Sequence, residues 1–370
     1  MSEKNRAIFF CIILIALLFG FMHHFFPEIH FERLHIFLLN LCTGGTLIIY
    51  LTEGKTIFSL KTTVFFISSF IYAIFSFLEI YNMAIAISLL LFVVVETIRI
   101  KKFGFFPYNF FDTKSKMAEK FHNASLLCLS IGILLSTFAI INHEYLKLLP
   151  FRKFELNTFF LGFSFPVSLI TLSIIFSTMK KAPSNTHKIL KILSFWIINV
   201  GVIIFFIFIL FESFILELII SLILFFTVAL VFWMYYRLGF KEQRKLFLSS
   251  AIGFLNITAI TGVAYIFLYF TNHYTPENSK IIKDIHRIVS LYGWNLTGII
   301  VILRNNDFPI DLNSYRIILL HWISTIILIP AGYYFPAMAL IATITFGVFI
   351  YIVLFRKTKT ISMDGKVPEF

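Results

Sequence analysis

The chain has 370 residues, of which 59% are hydrophobic and 14% charged, and its mean hydropathy is +0.90. Soluble globular domains are about a quarter charged, so this composition excludes one and points to lipid as the solvent. The formal net charge of +12 has no nucleic-acid motif beside it and fits attraction to anionic headgroups instead.

A helix needs roughly 20 apolar residues to cross the ~30 Å hydrocarbon layer. In chain order, windows bounded by charge, Pro or Gly run over 7–26, 31–52, 62–80, 83–98, 124–141 and 156–178. They continue over 189–211, 214–236, 247–270, 282–303, 315–334 and 336–355. The reading is one all-α, polytopic membrane domain over 1–370 with about twelve transmembrane helices. The first window follows Lys4 and Arg6 as a secretory signal would. It ends at Phe21–Phe26 without a small-residue cleavage pattern, so a retained helix is predicted.

Positive charge orients the bundle, because short outer loops disfavour it. On the twelve-helix count, 24 of the 31 Lys and Arg fall on the side of the N-terminus and 7 on the other. Both termini are therefore expected in the cytoplasm, below a bacterial or archaeal plasma membrane. The longest loop, 99–123, carries an aromatic run from Phe103 to Phe111 and then Lys114, Lys116 and Lys120, which predicts a segment lying in the inner interface. The tail, 357–370, reads as solvated. Cys11, Cys42 and Cys128 fall within predicted helices as buried apolar residues, with no CxxC pair. No repeat relates the two halves by inspection, which counts against an inverted-repeat transporter.

Polar groups at membrane depth are costly and therefore informative. Seven of the ten histidines, among them His23, His24 and His273, fall at or near the outer side. His35 and His286 each follow the predicted start of an inward-running helix by about four residues, roughly 6 Å of rise, which places them at one level. Two imidazoles on separate helices at one level are what a bis-histidine haem requires. Arg33 and Arg287 stand where haem propionates would meet water, or where they would snorkel to headgroups. Gly44, Gly45, Gly293 and Gly298 allow close approach of a helix or a flat macrocycle. His321 sits well within helix eleven as a metal ligand, a proton relay or a hydrogen-bonded core group. Asn40, Asn199, Asn256 and Asn295 are expected to bond between helices, while Glu79, Glu96, Glu212 and Glu217 lie near helix ends.

The helix-two run Phe31-x-Arg33-Leu34-His35, with Gly44-Gly45 nine residues beyond the histidine, resembles the second helix of haem-copper oxidase subunit I. The helix-ten run with His286, Gly293, Gly298 and Arg304 is similar to haem- and copper-containing membrane proteins associated with nitric-oxide stress. The resemblance implies a twelve-helix core with haem b between His35 and His286, Arg33 and Arg287 on its propionates, and a redox partner. A copper site is the further implication, with His35, His286 and His321 the histidines available to a metal. The chain departs from the oxidases in having no histidine in helices six and seven and only one in helix ten, so an oxygen-reducing centre cannot be assembled. The second expectation is a permease or flippase for a small molecule or lipid-linked substrate, with Pro166 and Pro330 interrupting helices along its path. No Walker loop, nucleophile elbow or HExxH motif is present, and nucleic acid is not an expected partner.

Overall fold

The computed structural model describes residues 1–148, 160–240, 245–271, 274–304, 308 and 310–357. Among them, eleven helices are long and apolar enough to cross a membrane, and a twelfth apolar helix is shorter. In chain order they are α1 (Glu3–Phe25), α2 (Phe31–Glu53), α3 (Leu60–Phe77), α4 (Tyr81–Phe103), α5 (Met117–Leu146) and α6 (Gly162–Ser177). The second half holds α7 (Asn185–Leu210), α8 (Phe214–Leu238), α9 (Lys245–Tyr269), α10 (Glu277–Arg304), α11 (Tyr315–Gly332) and α12 (Pro336–Phe355). The protein is thus an all-α, multi-pass membrane bundle. The predicted first residues of helix six, His273 and the tail beyond 357 lie outside the described residues.

Local chemistry sets the ends. Ser59, Ser184 and Ser314 accept from the N–H of the third residue beyond them at the starts of α3, α7 and α11, satisfying groups a helix start leaves open. Tenth-helix capping moves a predicted boundary. The Thr275 hydroxyl accepts from Asn278 N–H at 3.1 Å and Pro276 occupies the first turn, so the helix starts at Pro276. Hydropathy placed that start at 282 because the first two turns are polar. The interfacial loop is also shorter than expected: Arg99 to Phe103 still belong to α4, and α5 begins at Met117.

Three helices form the centre. All of the central stretch of α2 and 78% of that of α10 are buried, against 22% for α7. α6 is buried along nearly its whole length. These three touch one another, and each lies against the helices before and after it, α1 and α3, α5 and α7, α9 and α11. The remaining helices, α4, α8 and α12, pack on α5, α9 and α1, which closes an outer ring. The chain is therefore laid out as three successive groups of four helices, with the second of each group inside.

One turn geometry recurs between these groups. Ile80 N–H donates to Phe75 O at 2.9 Å after α3, and Ser213 N–H to Phe208 O at 3.1 Å after α7. Glu79 and Glu212 occupy the left-handed position in these turns, at φ 60° and 54°. The repeat thus lies in thirds of the chain, where a comparison of halves does not find it. On the outer helices Phe226, Leu340 and Ile344 are 65%, 64% and 59% exposed, a surface that water would penalise and hydrocarbon does not.

Each central helix leaves regular α-geometry for a π segment: Phe37–Gly45 in α2, Phe160–Ser164 opening α6 and Val289–Asn295 in α10. α11 does so at Ser324–Leu328, just before Pro330. Proline lacks the N–H and crowds the carbonyl four residues back, which explains the widening ahead of Pro330 and Pro166. The carbonyls so displaced must still find donors inside a membrane. Thr43 Oγ1 donates to Leu38 O at 2.8 Å, Ser125 Oγ to Pro166 O at 2.7 Å, Thr297 Oγ1 to Gly293 O at 2.6 Å and His321 Nε2 to Tyr292 O at 2.8 Å.

Candidate functional site

The three π segments meet at one polar node. Asn295 Nδ2 donates to Ser164 Oγ at 2.8 Å and to Asn40 Oδ1 at 3.2 Å, and its Oδ1 accepts from Ser168 Oγ at 3.0 Å. Trp294 Nε1 donates to the same Ser168 hydroxyl at 2.9 Å. Asn40 and Asn295 have no exposed surface, and Asn40 Nδ2 is buried with no hydrogen-bond partner. An unpaired buried amide donor costs about 1–3 kcal/mol, so the node keeps a polar group that folding by itself would have removed. Asn199 and Asn256 differ: each donates to a carbonyl four residues back in its own helix and bridges nothing.

A cluster of charges lies at the end of the bundle where α1 ends, between α1, α2 and α10. Arg287 Nη1 is 2.7 Å from Glu32 Oε1, and Nη2 bonds the Asp284 carboxylate one turn earlier in α10. His23 Nε2 is 3.4 Å from Glu32 Oε2, while His24 Nε2 stands 3.8 Å from Asp284 Oδ2, beyond hydrogen-bond reach. Tyr333 covers His24, with ring centroids 3.9 Å apart. Asp284 is 2% exposed, and its Oδ2, both His24 ring nitrogens and His23 Nδ1 are buried without a hydrogen bond. His23, His24, Glu32, Arg287, Tyr333 and His35 line a cavity of about 20 Å³, room for roughly one water.

His35 joins the cluster to the node. Its Nδ1 lies 2.8 Å from Ala16 O and 3.0 Å from the Tyr292 hydroxyl. A carbonyl can only accept, so the ring proton sits on Nδ1 and Nε2 is left as the bare acceptor. Tyr292 belongs to the π segment of α10 and carries on its backbone carbonyl the bond from His321. His321 is 1% exposed and stacked on Phe349 at 4.4 Å. It is a hydrogen-bonded core group that satisfies a carbonyl freed by the π segment.

His286 repeats the arrangement of His35 on the other side of α10. Its Nδ1 lies 2.9 Å from Thr258 O in α9, and its ring packs on Gly262, four residues further along that helix. The ring of His35 packs in the same way on Gly20, four residues beyond Ala16 in α1. Both histidines therefore turn outward from the inner helices toward the first helix of their own group.

The expected single level is not observed. The Glu32–Arg287 pair sets the register between α2 and α10, with His35 three residues inward of it and His286 one residue outward, about 6 Å of rise apart. The α10 residues next to His35 are Leu291 and Tyr292. The two rings rest on carbonyls of different helices, Ala16 O of α1 and Thr258 O of α9. Arg33 and Arg287 diverge likewise. Arg33 pairs with Glu79 of the α3–α4 turn at 3.2 Å and lines a separate cavity of about 60 Å³ with Tyr72, Tyr81 and Glu144. Among the described residues, no three or more His, Cys, Asp or Glu are grouped to hold a metal ion.

Glu32, Asp284, Tyr292 and Tyr333 are absent from the sequence-based site. The Asp284-x-x-Arg287 spacing, one face of a helix, was the signal available for two of the cluster's charges. Cys11 also departs from expectation: it is exposed on the outer surface, whereas Cys42 is buried. The fold and these polar groups define a multi-pass α-helical membrane protein with a hydrogen-bonded centre and a half-buried ionic cluster at one end. Comparison with models of protein families, with curated proteins and with solved structures finds no match.

Proposed function

We propose that this protein is a permease in which a small polar solute passes along the seam of α2, α6 and α10. The observation that carries the reading is the meeting of three π segments at Asn40, Asn295 and Ser164, with one amide donor left unpaired. Irregular backbone at membrane depth is tolerated where it is enclosed by protein or lines a path, and π segments concentrate at functional sites. Helices with two ways of satisfying their carbonyls can shift by a residue without losing hydrogen bonds. That property suits a seam that opens and closes.

With the Lys and Arg asymmetry placing the termini in the cytoplasm, the ionic cluster is the outer mouth. Glu32, Asp284 and Arg287 leave it one negative charge when the histidines are neutral, so it attracts a proton or a protonated solute. Asp284 adds a buried carboxylate beside that mouth.

Substrate identity is not needed for the test. In a chain with Cys11, Cys42 and Cys128 changed to Ala, Asn295→Cys is expected to react with impermeant thiol reagents applied from either membrane face. Labelling from one face only, or from neither, overturns the permease. The haem alternative has its own readout. The purified protein is expected to show no Soret band, oxidised or dithionite-reduced; a band lost on His35→Ala or His286→Ala would reinstate the haem.

A further inference from the structure

The segment between α4 and α5 uses buried charge to hold an aromatic ridge in the open. Arg99 is 3% exposed, is neutralised by Glu96 at 2.7 Å, and spends its remaining N–H groups on Gly104 O and Phe105 O at 3.3 and 3.1 Å. Lys120 Nζ donates to Phe110 O at 2.9 Å, and Asn123 Nδ2 to Asn109 Oδ1 at 2.6 Å. The backbone is thus pinned from both flanking helices.

Its rings nevertheless point outward: Phe105, Phe106, Tyr108 and Phe111 are 66%, 58%, 75% and 72% exposed. Pinning a loop in this way costs backbone freedom of about 1–2 kcal/mol per residue, which a plain linker would not need. Lys101 and Lys102 stand on one side of the ridge and Lys114 and Lys116 on the other, all exposed. The acidic residues nearby are Asp112 and Glu119. Asp112 accepts from the Lys114 N–H at 2.9 Å and the Ser115 hydroxyl at 2.8 Å, which hold its carboxyl below the usual range. Its charge is therefore directed back into the segment.

We propose that this ridge is a binding site for anionic phospholipid headgroups in the leaflet at the end of the bundle where α1 begins. The four rings enter the headgroup–acyl boundary and the lysines that flank them meet phosphate. Aromatic rings prefer that boundary, and each lysine near an anionic surface contributes about 1 kcal/mol. A soluble partner fits less well, since the segment follows directly on the end of the membrane-spanning α4. Phe111 packs on Trp196 of α7 at 5.3 Å, so the site continues along the bundle perimeter.

The site also has a mechanical connection. α5 starts directly after Lys116, and its Gly132 lies against Gly162 in the π segment of α6. Headgroup occupancy therefore bears on the helix that supports the central node.

The test is native mass spectrometry of the full-length protein released from mixed phosphatidylglycerol and phosphatidylcholine bicelles. Phosphatidylglycerol is expected to be retained over phosphatidylcholine by about ten-fold or more. The preference should fall toward parity in the Lys101→Gln, Lys114→Gln, Lys116→Gln variant. Raising salt on the unaltered protein to about 0.5 M before release should have the same effect, since screening then acts within a few ångströms. Phe105→Ser with Phe106→Ser is expected to lower retention of both lipids and leave their ratio unchanged. Equal retention of the two lipids by the unaltered protein, or a preference that survives both the lysine changes and salt, overturns the proposal.

Discussion

Gly132→Ala is expected to destabilise the protein strongly and to lower its melting temperature. A Cβ at this position would stand 2.1 Å from the Cα of Gly162 and 2.7 Å from its carbonyl oxygen. Both are backbone atoms, so no rotamer change relieves the overlap, and α5 must move from α6 by more than an ångström. Such overpacking costs about 3 kcal/mol, a large fraction of the stability of most proteins. The loss falls on the pair of helices that present Ser164 to Asn295. Fluorescence-detected size exclusion and thermal unfolding in detergent read the effect. Gly201→Ala is the control: its nearest contact is the Leu224 Cδ2 methyl at 3.0 Å, the end of a flexible side chain, and the variant should stay within about 1 kcal/mol of the parent. An unchanged melting temperature for Gly132→Ala would refute the close α5–α6 contact.

Arg287→Met carries the second large effect. Methionine fills much of the same volume but leaves Glu32 and Asp284 facing each other across α2 and α10 without their shared cation. Asp284 is almost wholly buried, and breaking a buried pair by removing one partner costs about 3 kcal/mol or more. Because the penalty comes from the stranded carboxylate, adding Asp284→Leu should recover a substantial part of it, since apolar replacements of buried pairs are often neutral. Thermal unfolding of the single and double variants measures this. A double variant less stable than Arg287→Met would show that Asp284 has other essential partners. In the permease reading, Arg287→Met also changes the charge of the outer mouth while leaving the Asn295 node in place. Thiol labelling of Asn295→Cys in this background separates damage to the mouth from damage to the path.

Hydropathy read along the chain found each helix, since crossing hydrocarbon imposes a length and a composition that are local properties of sequence. Where polar residues open a helix, as from Pro276 to Asp284, the same measure missed it, and the Thr275 cap was the readable sign. The pairing of Asn40 with Asn295 was half legible: an amide inside a helix needs a partner, but whether it turns to its own helix, as Asn199 and Asn256 do, depends on what stands opposite. The histidines show the limit most clearly. Counting residues from a predicted helix start put His35 and His286 at one level, and an early start to α10 with the Glu32–Arg287 register moved them about 6 Å apart. Their faces could not be read at all, because a helix's rotation about its axis is set by its neighbours.

By itself, then, the sequence determined that the chain lives in lipid as a bundle of apolar helices, and through its Lys and Arg which end is expected in the cytoplasm. Those follow from transfer free energies of single residues and need no partner. The tertiary structure decided which three helices are central, where their π segments meet, and that Asp284 rather than His286 joins the ionic cluster. Those are relations between helices far apart in the chain, fixed by close packing at glycines and by the need of every buried carbonyl and charge to find a partner.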